Sequence, residues 1–112
     1  MTIISTNKVK NFWQIRASQC LDFNSTMLNS KDLSTRRDTH EKNLLMPLFH
    51  LNMNLTNVLD IGCGLGRWAT ELGSQVATYT GTDFIKEYID QCSAKFKNSN
   101  MSFYNMNVEE TI

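Results

Sequence analysis

Apolar residues in the first part of the chain recur every three or four positions, which is the spacing of one face of an α-helix. The first such pattern contains Val9, Phe12, Trp13, Ala17, Cys20 and Leu21. A second covers about Thr39 to Leu51 and predicts inward side chains at Leu44, Leu45, Leu48 and Leu51. Pro47 lies within this second pattern, where it predicts a kink or a later start of the helix.

A polar stretch separates the two helical patterns. Its sequence, FNSTMLNSKDLSTRRD (23–38), is rich in Asn, Ser and Thr. Such a composition is typical of a loop or a lid. We therefore expect residues 1–55 to form an N-terminal helical segment.

The spacing of apolar residues changes at Asn57. All five glycines of the chain lie between Gly62 and Gly81. Five segments follow, which are predicted as strand, helix, strand, helix and strand: NVLDI, GRWATEL, VATYTGTDF, IKEYIDQCSAKFK and MSFYNMNV. The first strand is predicted to be buried, and Gly73 fits the C′ position of the first helix. The order predicts an α/β fold, with half of a doubly wound, Rossmann-like parallel sheet in residues 56–112.

Side-chain patterns within this second part predict which residues form the core. The helix IKEYIDQCSAKFK places Ile85, Tyr88, Ile89, Cys92 and Phe96 on one face. The aromatic residues expected in the core rather than in a recognition surface are Phe12, Trp13, Trp68 and Tyr88.

Composition narrows the class of protein. With 112 residues the chain forms one domain at most, and its 11 basic and 11 acidic residues leave no net charge. That balance gives no electrostatic case for binding nucleic acid or an acidic membrane surface. No apolar run approaches the roughly 20 residues of a membrane span, and the N-terminus lacks the apolar region of a secretory signal. We therefore expect a cytoplasmic protein.

Neither the cysteines nor the histidines predict a metal site. Cys20, Cys63 and Cys92 are widely spaced and form no CxxC pair, so neither a disulfide framework nor zinc is indicated. His40 and His50 have no partners at ligand spacing. Reduced thiols are typical of a cytosolic protein.

Candidate chemistry is concentrated in NVLDIGCGLGRWATEL, residues 57–72. Gly62, Gly64 and Gly66 alternate directly after the first strand, where the lack of a Cβ lets backbone approach a ligand. The following helix adds exposed N–H groups and a positive dipole end. Gly64, Gly66 and Ala69 also satisfy the pattern GxGxxA, so glycine spacing alone leaves NAD, NADP and FAD open.

Two carboxylates bear on which nucleotide suits this turn. Asp83 ends the second strand about 20 residues later, where it can bind ribose hydroxyls or cap the following helix. Asp60 lies two residues before Gly62. A fixed negative charge there disfavours a pyrophosphate, whereas a cofactor with an ammonium and a sulfonium is attracted to it. The charges therefore favour S-adenosylmethionine.

The segment VLDIGCGLGRW resembles the first motif of class I S-adenosylmethionine-dependent methyltransferases, an acidic residue followed by GxGxG. In that family the turn supports the methionine part of the cofactor. The acidic residue, here Asp60, interacts with the cofactor's amino group, often through water. GTDF resembles the family's second acidic position, which implies Asp83 on the ribose and Phe84 beside the adenine.

The end of the third strand departs from the family pattern. The family usually has an Asp there that binds the adenine amine, whereas FYNMNVEE offers Asn107 with Val108 or, as an alternative, Asn105. An amide oxygen can accept the same hydrogen bond without a charge. The resemblance implies these cofactor-binding residues: Asp60, Gly62, Cys63, Gly64, Gly66, Asp83, Phe84, Asn107 and Val108. Cys63 is expected to fill space in the turn rather than to act as a nucleophile.

Two arginines of the N-terminal segment are further candidates. Arg16 falls on the apolar face of the first helix, where its stem can pack while its guanidinium reaches water. Alternatively, Arg16 binds the cofactor's carboxylate. Arg37 can do the same, but Glu41 lies four residues later and offers a pair along the helix.

The resemblance implies a methyltransferase whose domain is truncated after the third strand. A complete class I sheet has seven strands with the first near its centre, so one edge of NVLDI is left open to a complementing chain or to self-association. Methyl transfer is an in-line displacement that depends mainly on positioning. The catalytic residues are unknown, and the methyl acceptor is expected to be a small molecule, such as a sugar. An NAD(P)-binding half-domain and a non-catalytic methyltransferase remnant are the alternatives.

Overall fold

The computed structural model describes residues 6–19, 31–49 and 52–107 of the chain. The helices are α1 (Thr6–Gln19), α2 (Lys31–Phe49), α3 (Arg67–Leu72) and α4 (Lys86–Lys95). The strands are β1 (Asn57–Ile61), β2 (Thr78–Asp83) and β3 (Met101–Asn105). Short 3-10 helices at Met53–Leu55 and Gly73–Gln75 precede β1 and β2. The order of helices and strands is the predicted one.

The three strands form a parallel sheet in the order β1-β2-β3. Leu59 of β1 lies opposite Thr80 of β2, and Gly81 of β2 lies opposite Phe103 of β3. A Cβ at Gly81 would lie 2.7 Å from the Phe103 ring, which favours glycine at this position. The predicted α/β architecture is confirmed. Within the described residues β1 pairs with β2 alone, so its other edge is open.

Two groups of buried residues hold the helices on this sheet. The first joins α3 to β2 and contains Met53, Ala69, Leu72, Val76 and Tyr79. The second joins α1 to the start of α4 and contains Ala17, Ile85 and Tyr88, with Trp13, Leu65 and Phe84 packed against them. The predicted apolar face of α4 is confirmed, since Tyr88, Ile89 and Cys92 are buried.

The start of α2 differs from the prediction. The helix begins at Lys31, so the predicted loop is wrong for residues 31–38, and residues 23–30 lie outside the described part. Three charge pairs one turn apart favour the helix: Asp32 with Arg36, Arg37 with Glu41, and Asp38 with Lys42. Each such pair adds roughly 0.2–0.5 kcal/mol. The predicted later start at Pro47 is also wrong, because α2 continues through it to Phe49.

The apolar face of α2 is largely exposed, contrary to the prediction that its leucines point inward. Leu44, Leu45 and Leu48 are 61%, 38% and 74% exposed, and Leu51 lies outside the described residues. The prediction of a buried β1 is also wrong, because exposed residues alternate with half-buried ones along this strand. Periodicity indicates the face that a segment can bury, but not whether another segment covers it.

α1 buries fewer of its apolar side chains than its pattern predicts. Ala17 is buried and Trp13 is half-buried, but Phe12 and Val9 lie at the surface. The prediction that Phe12 belongs to the core is therefore wrong. Cys20 and Leu21 lie outside the described residues. In the described ranges, no helix combines the length and apolarity needed to cross a bilayer.

Gly73 does not adopt the left-handed conformation predicted for a C′ glycine. Its φ of −57° and ψ of −38° are right-handed, and the chain continues into the 3-10 helix Gly73–Gln75. A Cβ at Gly73 would contact the sulfur of Met101, so this flexible side chain would have to shift to accommodate it.

A network of ion pairs joins α2 to α3 across the predicted boundary at residue 55. Arg67 contacts Asp38 at 3.0 Å and Glu41 at 2.8 Å. Lys42 contacts Asp38 at 2.9 Å and Glu71 at 3.6 Å. The side chains of Arg67, Asp38 and Lys42 are 21%, 18% and 16% exposed, so their charges are screened less than those of a surface pair. The division into residues 1–55 and 56–112 stays a prediction.

Replacing Arg67 with Met is expected to lower the free energy of unfolding by about 1–3 kcal/mol, because two half-buried carboxylates lose a partner. Arg37→Met is the matched control. Arg37 is 55% exposed and pairs with Glu41 on its own helix, so its loss is expected to change stability by less than about 0.5 kcal/mol. Urea unfolding of both variants measures the difference, and equal effects would contradict the network.

Candidate functional site

The glycine turn that joins β1 to α3 has three residues in the left-handed region. Gly62, Gly64 and Gly66 have φ values of 76°, 57° and 82°, which would strain a residue with a side chain. The amides of Gly62 and Cys63 donate hydrogen bonds to the carbonyl oxygen of Thr82 at 2.8 Å and 2.9 Å. The turn is therefore tied to the end of β2.

Asp83 connects the turn to α4. Its Oδ2 accepts a hydrogen bond from the Gly64 amide at 3.0 Å, and its Oδ1 accepts one from the Ile85 amide at 2.9 Å. Burial raises the pKa of Asp83, while the hydrogen bonds from Ile85 and Gly64 oppose that rise. The bond to Ile85 is an Asx turn just before α4. The predicted N-cap role of Asp83 is wrong, because Ile85 occupies the N-cap position of this helix.

Most amides of the turn already have partners within the protein. The Gly66 amide donates to the Cys63 carbonyl oxygen at 3.1 Å. Together with the bonds of Gly62, Cys63 and Gly64, four of the five amides from Gly62 to Gly66 are engaged. A pyrophosphate bound on such a turn needs backbone donors that point at it. Residues 62–66 themselves therefore offer few backbone donors to an anion.

A cavity of about 220 Å³ lies against the turn and Asp83. We call it the turn pocket, and its walls are Trp13, Gly62, Gly64, Asp83, Phe84 and Tyr88. Four of these six residues are predicted cofactor-binding residues. Three aromatic side chains beside one carboxylate suit a flat aromatic ring that is attached to a hydroxylated group.

Trp13 and Tyr88 line the pocket although their sequence pattern predicts core positions. Tyr88 is indeed buried, and it has both roles. Trp13 reaches the pocket because α1 docks on α4, where Gln14 donates a hydrogen bond to Glu87 at 2.7 Å. These two residues are 73 positions apart, so no local spacing signals the contact.

Asp60 lines a different cavity from Asp83. The hydroxyl group of Tyr79 donates a hydrogen bond to its carboxylate. Burial raises the pKa of Asp60, and the bond from Tyr79 and the charge of Arg67 oppose that rise. The charge of Asp60 also raises the pKa of Asp83, so the turn pocket lies within its field. The predicted role of Asp60 toward the cofactor's amino group stays a prediction.

The cavity beside Asp60 is larger, about 450 Å³, and its walls come mainly from apolar side chains of α2, β1 and α3. We call it the open-edge cavity because it includes Leu59 of β1, which is 63% exposed. Its volume lies in the range of ligand sites, roughly 300–1,000 Å³. The glycine turn and Asp83 nevertheless line the smaller turn pocket, so we take the turn pocket as the candidate cofactor site.

Two predicted residues of the turn face protein instead of the pocket. Cys63 is buried, and its contact with Cys92 together with its burial raises the pKa of its thiol, which fits the predicted space-filling role. Gly66 is buried against Phe96 and Cys92. In the part of the chain that the structure describes, no group of three metal-ligating side chains occurs.

Asn105 and Asn107, the two described candidates at the end of β3, are not among the walls of the turn pocket. Asn105 donates a hydrogen bond from its side-chain amide to the Asp83 carbonyl oxygen at 3.1 Å. Asn107 is half-buried, and Val108 lies outside the described residues. The adenine-binding role of this segment stays a prediction.

The two candidate arginines lie on separate helices. Arg16 is half-buried on α1, with its guanidinium carbon 6.0 Å from the centre of the Phe12 ring. Arg37 is bonded to Glu41 at 2.8 Å, which is the helix pair that the sequence offered as the alternative. Binding of the cofactor's carboxylate by Arg16 stays a prediction.

The fold is a parallel α/β domain with a glycine turn beside a buried carboxylate, and comparisons with known proteins identify its family. Residues 58–112 match the methyltransferase domain family. The 23S rRNA (uracil(1939)-C(5))-methyltransferase RlmD of Aliivibrio fischeri is 30% identical over 84 residues, which are 71% of this chain and 19% of that protein.

Solved structures agree with this assignment. Phosphoethanolamine N-methyltransferase 1 of Haemonchus contortus, in complex with phosphoethanolamine and S-adenosylhomocysteine, matches with a TM-score of 0.75 and 27% identity. The match covers 90% of this chain and 21% of that one. Magnesium protoporphyrin IX methyltransferase of Synechocystis PCC 6803 has the same fold, with a TM-score of 0.69 at 15% identity over 95% of this chain and 56% of that one.

The chain belongs to the class I S-adenosylmethionine-dependent methyltransferases. S-adenosylmethionine is the cofactor of this family. The chain spans about a fifth of the length of RlmD and of the Haemonchus contortus enzyme.

Gly66→Ala is expected to lower the free energy of unfolding by about 2–4 kcal/mol, because it combines left-handed strain with a Cβ 2.9 Å from the Phe96 ring. Gly62→Ala is the matched control, since its φ is similar but its Cβ would meet no atom within 4 Å. We expect Gly62→Ala to lower the free energy of unfolding, measured with urea, by about 1–2 kcal/mol. A larger loss for Gly62→Ala than for Gly66→Ala would contradict the packing of the turn on α4.

Asp60→Asn is expected to remove part of the pH dependence of stability. The folded chain raises the pKa of Asp60 from its ordinary 3.8, so above that pH the folded state binds more protons than the unfolded state. The contribution of Asp60 to stability is thus largest in acid and is lost as the pH rises through the folded-state pKa. Urea unfolding measures this dependence. Between about pH 4 and pH 7, the free energy of unfolding should decline less for the variant than for the parent. An unchanged profile would contradict the burial of this carboxylate.

Proposed function

We propose that this chain binds S-adenosylmethionine in the turn pocket and acts as the cofactor-binding part of a methyltransferase. The observation that carries the proposal is the position of Asp83 beside Gly62 and Gly64 at one pocket. Backbone amides use only part of the acceptor capacity of the Asp83 carboxylate, so it can also accept a hydrogen bond from a ribose hydroxyl. Phe84 offers an aromatic face to the adenine.

Hydrogen bonding and charge support this cofactor over NAD. The engaged amides of the turn leave a pyrophosphate few donors. Asp60 and Asp83 also place two carboxylates near the turn, where they repel a pyrophosphate and attract an ammonium and a sulfonium. Burial of both carboxylates strengthens these interactions, because the surroundings screen charge less than water does.

The described residues contribute binding and orientation to the reaction. The cofactor supplies a methyl group on a positively charged sulfur, and the acceptor displaces the sulfur in line. Asp83 is held by two backbone amides, so its carboxylate can orient the ribose with little rearrangement. The aromatic side chains of Trp13, Phe84 and Tyr88 line the same pocket and can shield a bound cofactor from water.

For the methyl acceptor we propose a small molecule, such as a sugar. The balance of 11 basic and 11 acidic residues supports this, because an RNA acceptor calls for a positively charged surface. The similarity to RlmD favours rRNA as the alternative acceptor, although the match covers only 19% of that protein. We also propose a cytoplasmic location. The free thiols of Cys63 and Cys92 support it, because reduced cysteines are typical of cytosolic proteins.

A further polypeptide segment, in this proposal, covers the open edge of β1. Leu45 and Leu48 of α2 and Leu59 of β1 line the open-edge cavity and are exposed. An uncovered strand edge beside an apolar cavity favours association with another chain segment. The matched methyltransferases contain more sequence than this chain, which covers 19–56% of their lengths. A complementing polypeptide or a second copy of this chain can supply that segment.

In parallel calorimetric titrations, the folded chain is expected to bind S-adenosylhomocysteine but not NAD. Asp60→Asn should raise the Kd for S-adenosylhomocysteine about three- to tenfold. It should change the Kd for adenosine less than about twofold, because adenosine lacks the methionine amino group. Circular dichroism verifies that each protein is folded. Binding of NAD without S-adenosylhomocysteine would contradict the proposed cofactor. An equal loss of affinity for S-adenosylhomocysteine and adenosine would contradict the proposed role of Asp60 but not the proposed cofactor.

A further inference from the structure

Tyr79 places a hydroxyl group beside Asp60, near the end of β1. In the register of β1 and β2, Asp60 lies opposite Gly81, which has no side chain to fill the space beside the carboxylate. Tyr79 precedes Gly81 by two residues, so its side chain points to the same face of the sheet. Its hydroxyl donates a hydrogen bond to the Asp60 carboxylate. A glycine and a tyrosine of β2 thus together make a place for this carboxylate.

The core around Tyr79 fixes the position of its hydroxyl group. Tyr79 is fully buried and belongs to the first group of buried residues, which joins α3 to β2. The centre of the Phe103 ring lies 6.2 Å from the centre of its own ring. A ring in such a close-packed interior cannot change its rotamer without disturbing its neighbours. The hydroxyl therefore offers Asp60 a donor in one fixed direction.

Asp60 depends on this donor because burial opposes its charge. Burial raises the pKa of Asp60, and the bond from Tyr79 opposes that rise more than the charge of Arg67 does. Arg67 is itself paired with Asp38 and Glu41 on α2. Burial and the bond to Asp60 raise the pKa of Tyr79, so its hydroxyl keeps the proton that it donates.

The other titratable groups around Asp60 bring no positive charge. They are Asp83 at the end of β2, Cys63 in the glycine turn and Cys92 on α4. Asp83 carries the same charge as Asp60, so it disfavours the ionised form of Asp60. From α2, the walls of the open-edge cavity beside Asp60 are the apolar residues Leu45, Leu48 and Phe49. Within the described residues, the tyrosine hydroxyl is therefore the main support of the Asp60 anion.

We propose that Tyr79 is a positioning residue for the cofactor, which holds the Asp60 carboxylate charged and in one orientation toward the cofactor's amino group. This inference rests on the proposed function, in which Asp60 attracts that ammonium. Tyr79 is not among the walls of the turn pocket, so it acts on the cofactor through Asp60. Loss of its hydroxyl weakens the binding of the methionine part and leaves the binding of the adenosine part in place.

Tyr79→Phe in the full chain removes the hydroxyl and keeps the buried ring. In calorimetric titrations at about pH 7, the variant is expected to raise the Kd for S-adenosylhomocysteine about two- to fivefold and the Kd for adenosine less than about twofold. Tyr104→Phe is the matched control on the next strand, because Tyr104 is 52% exposed and is a wall of neither cavity. It should change both constants less than about twofold.

The pH dependence of binding separates positioning from a purely structural role. Without the hydroxyl, the folded-state pKa of Asp60 rises further, so Asp60 binds a proton at a higher pH than in the parent. The loss of affinity for S-adenosylhomocysteine in acid should therefore begin about one pH unit higher in Tyr79→Phe. The Kd for adenosine, measured in parallel, corrects for protonation of Asp83. An increase in Kd of equal size at about pH 5.5 and pH 8 would contradict the proposal.

A double-mutant cycle tests whether Tyr79 acts through Asp60. In the Asp60→Asn background there is no carboxylate to hold, so adding Tyr79→Phe should change the Kd for S-adenosylhomocysteine less than about twofold. The same loss of affinity in both backgrounds would overturn the proposal.

The parent protein gives a second measurement that needs no variant of Tyr79. The ¹³C chemical shift of the Asp60 carboxyl group, assigned with Asp60→Asn, is expected to be that of an ionised group at about pH 7. A protonated Asp60 at that pH would overturn the proposal.

The outcomes separate this inference from the proposed function. If Asp60→Asn weakens S-adenosylhomocysteine binding and Tyr79→Phe does not, the role of Tyr79 is wrong and that of Asp60 stands. If neither variant weakens it, the roles of both residues are wrong and the cofactor stands. A folded parent that does not bind the ligand would overturn the proposed function as well.

Discussion

The carboxylate of Asp83 is the contact on which the candidate site depends. It holds the glycine turn through the Gly64 amide and bonds to the Ile85 amide just before α4, while it lines the turn pocket itself. A buried carboxylate with two amide donors is stable in this place, although burial still raises its pKa. One side chain thus links the glycine turn, the residue before α4 and the wall of the pocket.

This arrangement also explains why a turn of dinucleotide-like spacing suits a different ligand. Amides that bond to Asp83 and Thr82 are not available to a pyrophosphate. The pocket instead combines a carboxylate, which suits the ribose, with aromatic walls, which suit the adenine. In S-adenosylmethionine the positive charges are on the sulfonium and the ammonium, beyond the ribose. The larger open-edge cavity has neither the glycines nor Asp83, and in our proposal an adjoining polypeptide covers its exposed leucines.

Sequence alone predicted the features that depend on neighbouring residues. The three strands, the glycine turn and the position of Asp83 follow from spacing within about 20 residues, and the structure brings Gly62, Gly64, Asp83 and Phe84 to one pocket. The start of α2 was mispredicted because Asn, Ser and Thr content suggested a loop, whereas charge pairs one turn apart favour the helix. Trp13 was missed as a pocket residue because its position depends on docking between residues 73 positions apart.

The most direct test of the account is to locate the ligand by ¹H–¹⁵N NMR during a titration of the full chain with S-adenosylhomocysteine. The two tryptophan indoles report on the two cavities, since Trp13 lines the turn pocket and Trp68 the open-edge cavity. The account predicts shifts of the Gly62 and Gly64 amides and of the Trp13 indole, with the Trp68 indole unchanged. Shifts at the Trp68 indole without any at Gly62 and Gly64 would contradict it.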